Sequence, residues 1–143
     1  MKKNLFAIAI LIAASISMAE DNVDIITNNK ADINAISSDD LKAIYFGKRQ
    51  TTKEGLVVTP YDSDNDSKRN KFYKKYFRRT PLQVHRYWAR KIFAGEGVLP
   101  PKRIDEEQLV EILEQTINSI GYTDLSLEPK DKDDIKVLEV ADD

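Results

Sequence analysis

The stretch Tyr61-Asp62-Ser63-Asp64-Asn65-Asp66-Ser67-Lys68-Arg69-Asn70-Lys71-Phe72 sets three carboxylates at alternate positions directly before a basic, aromatic segment. Three chemistries compete for it: a cation loop, a helix cap and an anion site. Asp62, Asp64 and Asp66 match positions 1, 3 and 5 of a calcium loop. Such a loop also needs a turn glycine at position 6 and a bidentate glutamate at position 12, and these places hold Ser67 and Tyr73. That argues against an EF-hand and leaves a looser cation site as a minor alternative. As a cap, Asp66 would fold back onto the unpaired N–H groups of the helix that follows. Those N–H groups, aligned with the helix dipole, are also what holds an oxyanion at a helix start.

A second concentration of chemistry lies downstream. Residues 68–91 hold ten Lys or Arg and no acid, interleaved with Phe72, Tyr73, Tyr76, Phe77, Tyr87 and Trp88. Basic residues with aromatics can bind nucleic acid by phosphate contact and base stacking, but helical spacing explains the aromatics as the core faces of two helices. The expectation is a solvated basic surface with no nucleic-acid partner. If the charge has a function, Lys74, Lys75, Arg78, Arg79, Arg86 and Arg90 are the candidates for an acidic partner or polyanion.

Catalysis finds little support. His85 is the one histidine, there is no cysteine, and neither a Gly-x-Ser-x-Gly elbow nor a His-Glu-x-x-His pair occurs. No catalytic residue, metal or cofactor is expected, and the chain reads as non-enzymatic.

The elements that position these residues are legible in outline. Val23 to Ile26 reads as a strand. Ser37 or Ser38 caps a helix from about Asp39 that ends at Gly47. Leu56 to Thr59 reads as a second strand stopped by Pro60, and the pairs Phe72–Tyr76 and Tyr73–Phe77 predict a helix over 66–79. Thr80-Pro81 opens another helix with Val84, Trp88 and Ile92 on its buried face. Asp105 with Gln108 forms a capping box for a helix striped by Leu109, Ile112, Leu113, Thr116 and Ile117 and ended by Gly121. Ile135 to Val140 closes the chain as a strand, and residues 141–143 read as a loose tail. Strands separated by helices predict a small α/β layer, a mixed sheet flanked by helices.

Composition bounds the rest. Lys2 and Lys3, an apolar run from Leu5 to Ile16, and Ser17-Met18-Ala19 before Glu20 read as a secretory signal peptide over residues 1–19. The apolar run is shorter than the roughly 20 residues of a membrane span, so no membrane insertion is expected after cleavage. Without cysteine the chain has neither disulfides nor a lipoprotein anchor. Residues 20–143 form one domain, and the expected location is the periplasm. Charge is segregated: residues 68–103 carry twelve bases and one acid, residues 104–143 three bases and thirteen acids.

The segment Ile36-Ser37-Ser38-Asp39-Asp40-Leu41-Lys42-Ala43-Ile44-Tyr45-Phe46-Gly47-Lys48 resembles a pattern of bacterial phosphate-binding proteins, the periplasmic receptors of phosphate ABC transporters: Leu-Ser-x-x-x-Leu-x-x-Ile-Phe-x-Gly-Lys. In that family a strand follows, then a helix-opening loop Arg-x-Asp-Gly-Ser-Gly-Thr-x-x-x-Phe, a Gly-Tyr dipeptide and a final Ile-Lys-Val-Leu-x-Val strand. Leu56 to Thr59, Asp62 to Phe72, Gly121-Tyr122 and Ile135 to Val140 stand in the same order. The resemblance implies one lobe of a type II periplasmic binding protein. Its relatives close two lobes on the anion, so a homodimer or a second-lobe partner would be needed to restore the pocket.

The resemblance also implies a ligand loop at Ser63, Asp64, Asn65, Asp66, Ser67, Lys68 and Arg69. Within the family's pattern only Asp64 and Phe72 are retained: Asp62 stands for the arginine, Asn65 and Ser67 for the glycines, Asp66 for the serine and Lys68 for the threonine. An arginine lost and two carboxylates gained remove a charge-assisted donor and add repulsion to an anion. The expectation is a solute-binding-type module, with weak phosphate or oxyanion binding or a role accessory to phosphate transport. The alternative is an interaction protein that lost the ligand and uses basic helices 68–91 on an acidic partner or polyanion.

Overall fold

The computed structural model describes residues 22–125 and 133–143. The signal peptide read over 1–19 lies outside them. The elements run β1 (Asp24–Asn28), β2 (Ala35–Ser37), α1 (Ser38–Tyr45), β3 (Thr59–Ser63), α2 (Asp66–Phe77), α3 (Pro81–Phe93), β4 (Lys102–Ile104), α4 (Glu106–Gln115), β5 (Ser119–Thr123) and β6 (Ile135–Ala141). The strands form one mixed sheet in the order β2-β6-β1-β5-β3-β4.

β1 explains the layering. Successive strand residues point to opposite faces, and both Ile25 and Ile26 are fully buried, so both faces of the sheet are covered. Ile25 pairs with Tyr122 of β5 and Leu138 of β6, and all three join Leu41, Tyr45, Phe72, Tyr73, Val84 and Trp88 in the larger core. Ile26 joins Leu109, Leu113, Ile104 and Ile135 in the smaller one. Helices α1, α2 and α3 therefore cover one face and α4 the other, a mixed α/β arrangement as expected.

The helix starts follow their local signals. The Ser37 side chain accepts from the Asp40 N–H, and Thr80 with Gln83 and Asp105 with Gln108 form reciprocal capping boxes. Burial along the helices departs from expectation at two places. Ile92 is 58% exposed and neighbouring Phe93 92%; the buried residues of α3 are Val84 and Trp88, so its buried face ends at Trp88. Ile117 is also exposed, since α4 ends at Gln115 and Thr116 already has extended backbone.

The strands needed more correction. Leu56 and Val57 are exposed, and Val57 makes only an isolated bridge to Thr51. The strand begins instead at Thr59 and runs through Pro60 to Ser63. Proline is tolerated because Thr59 and Pro60 pair only with β5, whereas Tyr61, Asp62 and Ser63 pair with β4; Pro60 thus sits where the strand is an edge. Gly121 ends no helix. It lies within β5 facing α4, where an added Cβ would stand 2.4 Å from Leu109 Cδ1. Ala141 belongs to β6, and the Asp143 carboxylate accepts from the Asp39 N–H at 2.9 Å, so the last three residues are not a loose tail.

Candidate functional site

Asp62 and Ser63 are the last two residues of β3, and α2 begins three residues after Ser63. The N-cap is Asn65, whose side chain accepts from the Lys68 N–H at 3.0 Å. Asp66, expected as the cap, is the first helical residue. Its exposed carboxylate pairs with Arg103 Nη2 at 2.6 Å, while the same guanidinium donates to the carbonyls of Ser63 and Asp64. Asparagine and aspartate cap about equally well; the backbone turns from extended to helical at Asn65, which assigns the role.

Little of this loop is left to face a ligand. Ser63 Oγ accepts from the Asn65 N–H, and the Asp64 N–H donates to the Ile104 carbonyl. Lys68 is buried, with its ammonium bonded to Glu106 and 3.9 Å from Asp124. Arg69 donates to Asp62. Only the N–H groups of Asp66 and Ser67 lead the helix ahead of its intrahelical ladder, with the Asp64 and Asp66 carboxylates beside them. The space behind the loop, between Tyr61, Ile104, Leu109 and Tyr122, has no room for a water molecule.

The residue that organises this end of the sheet is Asp62. It is 4% exposed, and its Oδ1 accepts from the Ser63 N–H at 2.9 Å and from the Tyr122 hydroxyl. Oδ2 accepts from Arg69 Nε and from the Tyr73 hydroxyl, both at 2.9 Å. Four donors fill the roughly four lone-pair sites of a carboxylate. Burial, then the Asp62 charge, holds the Tyr73 and Tyr122 phenols well above their ordinary range. Burial opposes the Arg69 charge, but the Asp62 carboxylate overrides it and leaves the guanidinium above its usual value. The sequence offered one signal for this cluster: Arg69 and Tyr73 are i,i+4 neighbours on α2. Tyr122, which stacks on Phe72 at 3.9 Å, is invisible from local spacing.

The basic residues divide. Arg79, Arg86 and Arg90 converge with Lys42 of α1 and Lys48 on a cleft of about 350 Å³ between the end of α1 and α3. Tyr87 and Phe46 form its wall, the Tyr87 hydroxyl donating to the Phe46 carbonyl at 2.6 Å. Among the described residues none of the five cations forms an ion pair, and no acid lines the cleft. Lys74 and Arg78 lie apart, in a shallow depression beside Asn70 and Pro81. Lys75 donates to the Val23 carbonyl at 2.8 Å. Lys42 and Lys48 escaped the sequence reading because they precede the basic run by some twenty residues and only the fold brings them to it.

His85 is exposed on α3. Among the described residues no group of three His, Asp or Glu could hold a metal, and no helix is long and apolar enough to cross a membrane.

No protein-family model matches the chain, and neither does any curated protein. Solved structures do, among them the following two. A structure described as a phosphate ABC transporter substrate-binding protein from Clostridium perfringens, with phosphate bound, aligns with a TM-score of 0.56 at 17% identity over 85% of this chain and 45% of its own. An ABC-type phosphate transport receptor from Vibrio cholerae aligns with a TM-score of 0.52 at 10% identity, over 84% and 46%. The chain thus spans just under half the length of either. At such identities the likeness shows the fold: a mixed α/β unit corresponding to one lobe of a periplasmic substrate-binding protein.

Proposed function

We propose that this protein is a non-enzymatic binding module that keeps the fold of one substrate-binding lobe and engages an anionic ligand or partner through the cleft between α1 and α3. One observation carries the reading: five cations without ion-pair partners among the described residues converge there, whereas the helix-opening loop is closed around its own carboxylate, Asp62. Like charges gathered without acids raise the local positive potential and attract anions. The purified protein should be retained on immobilised heparin at low salt and released as salt screens the contact. Arg86→Glu with Arg90→Glu should abolish retention. Unchanged elution of that double variant would sink the proposal.

Phosphate or another small oxyanion at the helix-opening loop is the second reading, supported by the likeness to a structure with bound phosphate and by the leading N–H groups of Asp66 and Ser67. Backbone amide shifts of these two residues on titration with phosphate would establish it; none at millimolar phosphate would remove it. The same module would be exported: the charged, apolar and small-residue segments of residues 1–19 support cleavage before Glu20. Mass spectrometry of the periplasmic protein tests this, and a retained N-terminus would refute it. A lone lobe covers a ligand from one side only, so a second copy or a second-lobe protein belongs to this reading, and light scattering distinguishes monomer from dimer.

A further inference from the structure

We infer that the cleft between α1 and α3 is a site for a compact polyvalent oxyanion, a ligand carrying two or more linked phosphate groups. This rests on the reading that the cleft engages anions and names the chemical class.

The lining supplies donors without acceptors of charge. Lys42, Lys48, Arg79, Arg86 and Arg90 are cationic and have no acceptor function. Gln83 also lines the cleft, and its carbonyl oxygen is held by the Thr80 N–H at 2.9 Å in the capping box, which leaves its NH₂ group as the available end. The Tyr87 hydroxyl proton is committed to the Phe46 carbonyl. That leaves the Tyr87 oxygen as an acceptor, against six donor groups from Lys42, Lys48, Arg79, Gln83, Arg86 and Arg90. A lining so dominated by donors favours a ligand that chiefly accepts. An acidic peptide brings several backbone N–H groups with little to receive them; linked phosphates bring none.

Charge and shape narrow the class further. A single phosphate ester carries about 1.5–2 negative charges at pH 7, well short of five cations, whereas linked phosphates bring more charge into the same space. The donors come from α1, from the segment after it, from the α2–α3 junction and from one turn of α3. They surround a cavity rather than follow a line, which suits a compact ligand over an extended polymer. The volume of about 350 Å³ falls at the small end of ligand pockets, roughly 300–1,000 Å³. Arg86 and Arg90 stand one helical turn apart, and their planar forks match pairs of phosphate oxygens.

Calorimetry at constant ionic strength with inorganic pyrophosphate, tripolyphosphate and orthophosphate tests this on the whole protein. Pyrophosphate should bind with one-to-one stoichiometry about tenfold or more tighter than orthophosphate, one factor of ten corresponding to about 1.4 kcal/mol. Arg90→Gln should weaken it about tenfold while Lys53→Gln, an equal charge change outside the cleft, leaves it unaltered. Amide shifts should map to Gln83, Arg86 and Arg90. Pyrophosphate no tighter than orthophosphate, or shifts confined to Asp66 and Ser67, would overturn the inference. If heparin retention depends on Arg86 and Arg90 while pyrophosphate fails to bind, the ligand class is wrong and the binding module stands; if both fail, both fall. Vesicles with and without a bisphosphorylated lipid separate the sources. Binding to them that pyrophosphate displaces assigns a headgroup, and pyrophosphate binding without vesicle binding assigns a free ligand.

Discussion

Arg69 donates its Nε–H to Oδ2 of Asp62 at 2.9 Å, and its guanidinium lies 4.9 Å from the centre of the Tyr73 ring. The pair ties the end of β3 to the face of α2, so the loop that opens this helix is held by a carboxylate from within the protein.

Asp62→Ala should destabilise the protein by about 3–5 kcal/mol, the cost of leaving one member of a buried ion pair alone. Urea unfolding measures it. Asp62→Ala with Arg69→Met should cost less than the sum of the single changes, because each single variant strands the other group. Additive losses would show that the two side chains act independently.

Asn65→Ala should cost about 1 kcal/mol as a lost N-cap. Asp66→Ala should cost at most about 0.5 kcal/mol, since its contact with Arg103 is an exposed ion pair. The reverse ranking in thermal or urea melts would return the capping role to Asp66.

Alkaline pH should destabilise the fold through its phenols. Burial and the Asp24 charge push Tyr76 up to about 12, and burial with the Asp62 charge raises Tyr45, Tyr73 and Tyr122 as well. A raised folded-state value means that the contribution is complete below the unfolded tyrosine value, about 10. It is lost as pH rises from there through the folded-state values, because the unfolded chain ionises first. Phenolate absorbance should report Tyr45, Tyr73 and Tyr122, all buried, only as the protein unfolds; their smooth titration near pH 10 in the folded state would contradict their burial.

Arg78 ends α2 with φ of 52°, in the left-handed region that costs an L-residue about 1–2 kcal/mol. Its N–H donates to the Lys74 carbonyl and that of Arg79 to the Tyr73 carbonyl, a Schellman-type ending that favours glycine. Arg78→Gly should therefore stabilise the protein by about 1 kcal/mol in denaturant melts. A loss of similar size would mean that the Arg78 side chain contributes packing that outweighs the backbone strain.

Gly121→Ala should cost about 1–3 kcal/mol by overpacking, since the new methyl would fall within 2.7 Å of both Leu109 methyl carbons. Adding Leu109→Ala should recover part of that loss relative to Leu109→Ala alone. No recovery would place the strain elsewhere.

What the sequence made legible was local. Ser37, Thr80 with Gln83 and Asp105 with Gln108 mark their helices because a cap is completed within four residues. The sheet was harder to read. β4 is the three-residue Lys-Arg-Ile, with no alternating pattern to detect, and β5 was read as a helix ending because Gly121 is explained only by Leu109 across the layer. The Asp62 cluster shows both limits: Arg69 and Tyr73 lie on one helix face at readable spacing, while Tyr122 arrives from 60 residues away.

The pairing of β1 also governs time. Asp24–Asn28 is flanked on both sides by strands more than ninety positions further along the chain, so during synthesis, at about 5–20 residues per second, it has no neighbour until β5 emerges. Sheets built from such distant pairings close slowly. For several seconds the central strand of the sheet therefore lacks both of its partners. The arrangement that buries β1 between β5 and β6 also delays its enclosure until those two strands have been made.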